Sequence, residues 1–378
     1  MYTEFISKLD SSKYLLNEPL SKYVPLRIGG PADILYTPSD VDELIKVVSL
    51  AREYKVPITV IGGGTNTLIS DDGLRGLVVM NTKGDIKIGD IKEKSSNDKN
   101  DEQLVHRWDS DNTQGTFRGI EFKDLDYDES DCERIEVIMD SGVGLEYALY
   151  YLIEKGITGL QWYAGIPGTI GGAIFNNIHG GTHFISEILT KVDVMDIDGN
   201  IKTLTIDQLT VDYDRSIFHK SKDIILRGYF SMYRGDKEKA MYVAKEWAKR
   251  KKIQPRNSPG CCFTNITQEQ KIKLGYPTTA TGYIVEHVLK MTGFRIGDAM
   301  IYPEHHNFII NAGNATAKDY LAVVRTVYER IYKEIGIKVV PEIFFLGFKD
   351  EEISFLLSDE QLKQRKIRHE EIKSVYRK

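Results

Sequence analysis

Apolar and polar positions change period several times along the first sixty residues. A short apolar run, Ile34-Leu35-Tyr36, follows Gly29, Gly30 and Pro31 and predicts a strand. Val41, Leu44, Ile45, Val48 and Ala51 then recur at helical spacing, predicting a helix that ends near Tyr54, with Ser39 and Asp42 as its capping box. Pro57 to Ile61 reads as a buried strand, so the opening rhythm of strand, helix and strand predicts a mixed α/β region. Residues 1–20 show no clear period and read as an irregular lead-in. Between 83 and 134 the pattern collapses into charged and polar runs, with Trp108, Phe117, Ile120 and Phe122 as apolar islands that predict a hairpin. So little apolar surface predicts a solvated insertion that the chemistry does not need. Period returns at Ile135 to Met139 (strand) and Leu145 to Glu154 (helix). Lys237 to Lys251 and a stretch from Thr316, capped by Asp319, to about Ile335 follow as helices, and a charged, helix-prone tail closes the chain from 351 to 378.

Composition narrows the class. In 378 residues, 41% hydrophobic and 28% charged, there is enough apolar material for a sizeable core, which excludes a wholly disordered chain. A formal charge of −5 gives no support to a nucleic-acid-binding surface, and no apolar run reaches the roughly 18–20 residues of a membrane span. Three cysteines, Cys132, Cys261 and Cys262, are too few and too oddly spaced for a disulfide framework or a cysteine zinc site, and a reducing cytoplasm is the expected compartment.

Candidate chemistry lies in two glycine runs. Gly62-Gly63-Gly64-Thr65-Asn66 directly follows a predicted strand; glycine lacks a Cβ, so a ligand can approach the backbone, and the N–H groups, the Thr65 hydroxyl and the Asn66 amide can meet an anion. The second run is Gly165-Ile166-Pro167-Gly168-Thr169-Ile170-Gly171-Gly172. Two such loops about a hundred residues apart suggest one extended, phosphate-bearing cofactor between two lobes, with its identity open.

Together with Arg27-Ile28-Gly29-Gly30-Pro31-Ala32-Asp33, Gln254-Pro255, Gly260-Cys261-Cys262-Phe263, His305-His306-Asn307-Phe308 and Pro341-Glu342-Ile343-Phe344, these runs resemble the UDP-N-acetylenolpyruvoylglucosamine reductase family. The stretch between Phe230 and Gln254 leaves little room for an extra substrate-covering loop, so the chain resembles the family's shorter subtype. The resemblance implies an α+β fold: a two-lobed FAD-binding domain of the vanillyl-alcohol-oxidase type over 21–234, then a smaller α+β substrate domain over 235–350. It also implies non-covalent FAD, since no histidine replaces Thr65 or Asn66, with NADPH as reductant. The implied reaction reduces the enolpyruvyl ether of a UDP-sugar to UDP-N-acetylmuramate, a step of peptidoglycan precursor synthesis. The redox chemistry belongs to the flavin, and the protein supplies alignment and electrostatics.

Residue by residue, the resemblance implies Cys261 as proton donor, Glu342 as catalytic glutamate, and Arg27, Gly62, Gly63, Gly64, Thr65, Asn66, Gly165, Ile166, Pro167, Gly168, Thr169, Gly171 and Gly172 as cofactor contacts. Tyr213, Ser216 and Asn307 are the implied substrate contacts, and no metal is expected. Two departures stand out. The family reads Tyr-Arg-x-Ser where this chain reads Tyr213-Asp214-Arg215-Ser216, so either Arg215 still serves as the catalytic cation or another cation replaces it. After Asn177 the chain runs Ile178-His179-Gly180-Gly181-Thr182-His183, read as a reshaped loop and not a helical metal pair. His305 and His306 are expected to be structural. The rival readings are a flavin-dependent oxidase of the same superfamily and a flavin-binding homologue without catalysis.

Overall fold

The computed structural model describes residues 2–92, 115–117, 120–122, 125–181, 183–212 and 215–356. The chain forms two compact units, and neither is one continuous stretch. The first comprises Met1–Leu16, Ile34–Gly63 and Gly76–Ile253; the second comprises Asn17–Asp33, Gly64–Arg75 and Gln254–Lys378. The partition expected from sequence at 234/235 follows chain order. In the structure the helix Lys237–Lys251 packs in the first unit through Ala240, Val243, Ala244 and Trp247.

The predicted strand, helix and strand are present as Pro31–Tyr36, Val41–Glu53 and Ile58–Ile61. The helix buries Leu44, Val47, Val48 and Ala51 against Ile34, Leu77 and Val79, because those positions share one face at helical period. Leu44, Val47 and Val48, fully buried, each contribute roughly 1.5–3 kcal/mol. The cap lies one residue later than expected: Asp40 accepts from the Glu43 amide at 2.8 Å, while the Glu43 carboxylate accepts from the Ser39 amide at 2.6 Å and the Tyr36 hydroxyl at 2.7 Å. Nor is the lead-in irregular, since Phe5 is buried and Tyr14–Pro19 is a strand.

A six-stranded antiparallel sheet follows, in the order Ile201–Thr205, Leu189–Met195, Ile224–Arg234, Arg134–Asp140 and Ile86–Lys92, with Ile157–Thr158 paired to the end of Ile224–Arg234. Helices Leu145–Glu154, Ile170–Asn176 and Lys237–Lys251 contribute buried apolar faces to its core. The solvated insertion expected over 83–134 is therefore corrected at both flanks. Ile86–Lys92 is a sheet strand, and Leu125 and Glu129 are buried. The polar composition misled because Glu129 is buried with partners: its carboxylate accepts from Gln161 Nε2 at 2.7 Å and from the Thr158 hydroxyl. Gly115–Phe117 and Ile120–Phe122 form the expected hairpin, with Phe117 opposite Ile120. Trp108 and residues 93–114 lie outside the described residues.

The second unit is organised by the 19-residue helix Ala317–Ile335. Its predicted box is present, the Thr316 hydroxyl accepting from the Asp319 amide and the Asp319 carboxylate from the Thr316 amide, each at 3.0 Å. Tyr320, Val323, Val324, Val327 and Ile331 form its buried face, in one core with Cys262, Phe263, Ile309 and Phe345. Strands Arg295–Ile296, Ala299–Ile301 and Ile309–Asn311 are antiparallel, and Thr67–Ile69 pairs in parallel with Phe344–Leu346. The chain's last described turns are Asp350–Ile353 and Ser354–Leu356, so most of the tail expected over 351–378 lies outside the described residues. Among the described residues no helix is long and apolar enough to cross a membrane.

Candidate active site

In the first unit Gly62, at the head of the first glycine run, meets the second run. Strand Ile58–Ile61 ends at Gly62, and a Cβ built there would stand 2.5 Å from the Thr169 hydroxyl oxygen. That hydroxyl caps helix Ile170–Asn176 by accepting from the Gly172 amide at 3.3 Å. The 165–172 run is anchored along its length: Leu145 N–H donates to Gly168 O at 3.0 Å, Ile170 N–H to Val143 O at 2.8 Å, and Gly171 N–H to Ser141 O at 2.8 Å. Gly165 and Gly168 have φ of +82° and +137°, a region that disfavours any Cβ. A Cβ on Gly171 would come within 2.8 Å of Ser141 Cβ. Gly172 differs. Among the described residues outside its own helix backbone, only the Thr169 hydroxyl, at 3.7 Å, lies near its Cβ position, so that side is open. The glycine content and the open side at Gly172 fit a phosphate-bearing cofactor such as FAD.

In the second unit, Cys261, Glu342, Asn307 and Asn66 come together. Residues 261–263 run between two chain segments, with Cys261 bridged to Phe308 on one side and Phe263 to Pro341 on the other. Glu342 N–H donates to Cys262 O at 2.9 Å, and the Asn66 amide donates to Glu342 O at 3.1 Å. Phe344 N–H then donates to Asn66 O at 2.9 Å, so the chain leaving the first glycine run is bonded to the chain carrying Glu342. Cys261 and Glu342 are half-buried, whereas Cys262 is buried in the core. Burial pushes the Cys262 thiol well up, so it stays neutral. Arg27 is exposed with φ +55°, a left-handed conformation that costs roughly 1–2 kcal/mol for a residue with a Cβ. Gly64, at φ +62°, has Val24 within 2.5 Å of its Cβ position.

Two expected substrate contacts have structural tasks. Asn307 is buried with both ends of its side-chain amide on Phe263: Oδ1 accepts from the Phe263 amide at 3.1 Å, and Nδ2 donates to the Phe263 carbonyl at 2.7 Å. Its carbonyl also accepts from Cys262 N–H at 2.7 Å, so Asn307 clamps the cysteine segment. In the first unit, the buried Ser216 hydroxyl donates to Phe175 O at 2.6 Å and accepts from Phe218 N–H at 3.3 Å. Arg215 precedes it in the two-residue strand Arg215–Ser216 and is exposed, on the alternate face. Tyr213 lies outside the described residues.

The reshaped segment after Asn177 is a hairpin, with His179 opposite Phe184 and Gly180 opposite His183, so the two histidines do not share a helical face. Among the described residues no cluster of three His, Cys, Asp or Glu side chains could hold a metal ion. His306 is buried, its Nδ1 3.0 Å from Glu286 and its Nε2 2.8 Å from the Thr292 hydroxyl, in keeping with a structural role. Sequence reasoning missed the group formed by Asp126, Tyr127, Glu129, Gln161, Trp162, His183 and Glu187, whose members come from three separated segments with no motif to join them.

A family model described as an FAD binding domain matches residues 32–96 and 120–205, and one described as the C-terminal domain of UDP-N-acetylenolpyruvoylglucosamine reductase matches 252–346. The chain is 31% identical over 348 residues to the UDP-N-acetylenolpyruvoylglucosamine reductase of Bacillus subtilis, covering 90% of this chain and 97% of that protein. It is 30% identical over 342 residues to the one from Caldanaerobacter subterraneus subsp. tengcongensis, covering 90% and 96%. The crystal structure of the enzyme of that name from Thermus caldophilus superposes with a TM-score of 0.61 at 25% identity, covering 88% of this chain and 98% of that one. The chain belongs to the UDP-N-acetylenolpyruvoylglucosamine reductase family of FAD-dependent oxidoreductases.

Proposed function

We propose that the protein reduces the enolpyruvyl ether of UDP-N-acetylglucosamine to the lactyl ether of UDP-N-acetylmuramate, with NADPH as the reductant, as a step of peptidoglycan precursor synthesis. The observation that carries this reading is the placement of half-buried Cys261 and Glu342 on bonded neighbouring segments, with Asn66 of the first glycine run tied to Glu342. When bound, FAD supplies carriage of a hydride from NADPH to the terminal methylene carbon of the substrate. The chain's own residues handle the remaining charge and proton. Cys261 donates its thiol proton to the carbon that bears the carboxylate, which completes the two-electron reduction of the double bond. Glu342 is the second proton-bearing group beside that developing charge. Asn307 holds the cysteine segment through Phe263, with Cys261 half-buried and Cys262 in the core. The reading puts the work in the cytoplasm, where NADPH and UDP-sugars are made.

The direct test follows absorbance at 340 nm when the enolpyruvyl substrate is added to protein and NADPH without oxygen. One NADPH should be consumed per UDP-N-acetylmuramate formed. NADPH oxidation only in the presence of oxygen would favour an oxidase, and a yellow protein that oxidises none would favour a homologue without turnover.

Arg215 bears on the last possibility. Its exposure, opposite the buried Ser216, supports a surface role and a different cation for the developing charge. Arg215→Ala is expected to leave turnover within about twofold, whereas a positioned stabilising donor would cost on the order of a hundredfold. A loss of that larger size would return Arg215 to the catalytic group.

A further inference from the structure

The glycine run 165–172 has an aromatic residue just ahead of it and a histidine hairpin just behind it, and the two touch. Trp162 belongs to the turn Gln161–Tyr163 and His183 to the hairpin that follows helix Ile170–Asn176. Their rings stack with centroids 4.0 Å apart and planes 12° off parallel. The hairpin backbone sits so close to Trp162 that its carbonyl leaves no room for a Cβ at Gly180. A third segment, 125–129, joins them. Asp126 lies 3.4 Å from His183 Nε2, an ion-pair distance longer than a tight hydrogen bond, and Glu187 lies 3.3 Å from Nδ1. The Tyr127 ring packs 5.1 Å from Trp162, and Gln161 Nε2 donates to the Tyr127 hydroxyl at 3.0 Å and to Glu129 at 2.7 Å. Leu125 and Glu129 are buried, so this limb is fixed at both ends.

We propose that His183 is a positioning residue: stacked on Trp162 and paired with Asp126 and Glu187, it clasps the 125–129 limb to both ends of the 165–172 run and holds that run in the shape that binds FAD. The proposal rests on the reading that this run contacts FAD. A neutral histidine cannot pair with two carboxylates, so the clasp depends on charge. Burial alone would push the His183 imidazolium down, but the Asp126 and Glu187 carboxylates outweigh it and hold the group at about 9. Among the described residues, other charged groups nearby include Asp128 and Glu129 on the limb and, from helix Lys237–Lys251, Lys239 over the Tyr127 ring and Arg250 over the Trp247 ring. The sign follows from the raised value: the clasp is complete below the ordinary histidine pKa of about 6.5 and is lost as pH rises through about 9.

The experiment titrates apoprotein with FAD by flavin fluorescence between pH 6 and 9.5, using wild type, His183→Gln and Asp126→Asn, with circular dichroism to verify folding. Hydrogen exchange of 125–129 and 183–187 is measured in the same apoproteins. Wild type should bind FAD about fourfold more weakly at pH 9.5 than at 6.5, because only about a quarter of an imidazolium with a pKa of about 9 remains charged there. His183→Gln should be nearly flat with pH and as weak as wild type at its alkaline end, with faster exchange in 125–129. Asp126→Asn should shift the weakening to lower pH, and it stands in if His183→Gln fails to fold. Wild-type pH dependence and exchange in both variants would overturn the proposal. Wild type that binds no FAD at any pH would instead overturn the reading of the glycine run, and the exchange rates would still decide the clasp.

Discussion

Cys261→Ala is expected to leave reduction of the flavin by NADPH intact while cutting turnover of the enolpyruvyl substrate by about 100- to 10,000-fold, the range for loss of a positioned general acid. Hydride transfer from NADPH needs no proton from the thiol, so only the half-reaction with the substrate should stall. Cys261→Ser should keep most of the activity, because a hydroxyl can donate a proton from the same place. Cys262 makes the control sharp. It sits one residue along the same segment, is 1% exposed, and shares a core with Phe263 and Tyr320. Cys262→Ala should therefore lower stability by about 1 kcal/mol, the scale of a small core truncation, and leave turnover unchanged. Stopped-flow traces of flavin bleaching by NADPH and of recolouring by the substrate separate the two half-reactions. If Cys262→Ala abolished recolouring and Cys261→Ala did not, the proton donor would be the buried thiol, and the assignment would fail.

The place of Arg215 was left open between the site and the surface, but the burial of Cys262 beside Phe263 was legible in the sequence. Helix Ala317–Ile335 was equally plain, since an amphipathic run and a Thr316–Asp319 box agree on one start. At the first helix, Ser39 and Asp40 both offer capping oxygens, and the Glu43 carboxylate, held by Tyr36 and Ser39, decides for Asp40. What a local period cannot show is pairing over long separations. Thr67–Ile69 joins Phe344–Leu346 across about three-quarters of the chain, which is why the early segment Gly64–Arg75 belongs to the second unit. Polar composition concealed the limb at 125–129 for a related reason. A buried Glu129 looks like surface until Thr158 and Gln161 arrive from elsewhere to satisfy it. The glycine runs were found, but the reason for each glycine was not. Gly62 and Gly171 lack a Cβ because Thr169 and Ser141 occupy the space, so the protein's own packing explains them without a ligand.

Gly172 has no such explanation, which makes it the more informative substitution. It lies inside helix Ile170–Asn176, where Ala is favoured over Gly by roughly 1 kcal/mol, and its Cβ position is open apart from the Thr169 hydroxyl at 3.7 Å. Gly172→Ala should therefore raise the melting temperature of the apoprotein slightly. If the open face is where FAD meets the backbone, the same methyl group should weaken FAD binding by about tenfold or more. Gly62→Val should act differently, because its Cβ at 2.5 Å from the Thr169 oxygen must displace the helix cap. Loss of such a cap costs typically about 1 kcal/mol, so here apoprotein stability and flavin occupancy should fall together. Thermal melts of apoprotein with and without FAD, beside the flavin content of protein as purified, distinguish the two patterns. Gly172→Ala that melts higher and still binds FAD at the wild-type level would place the cofactor away from this helix, whatever became of Gly62→Val.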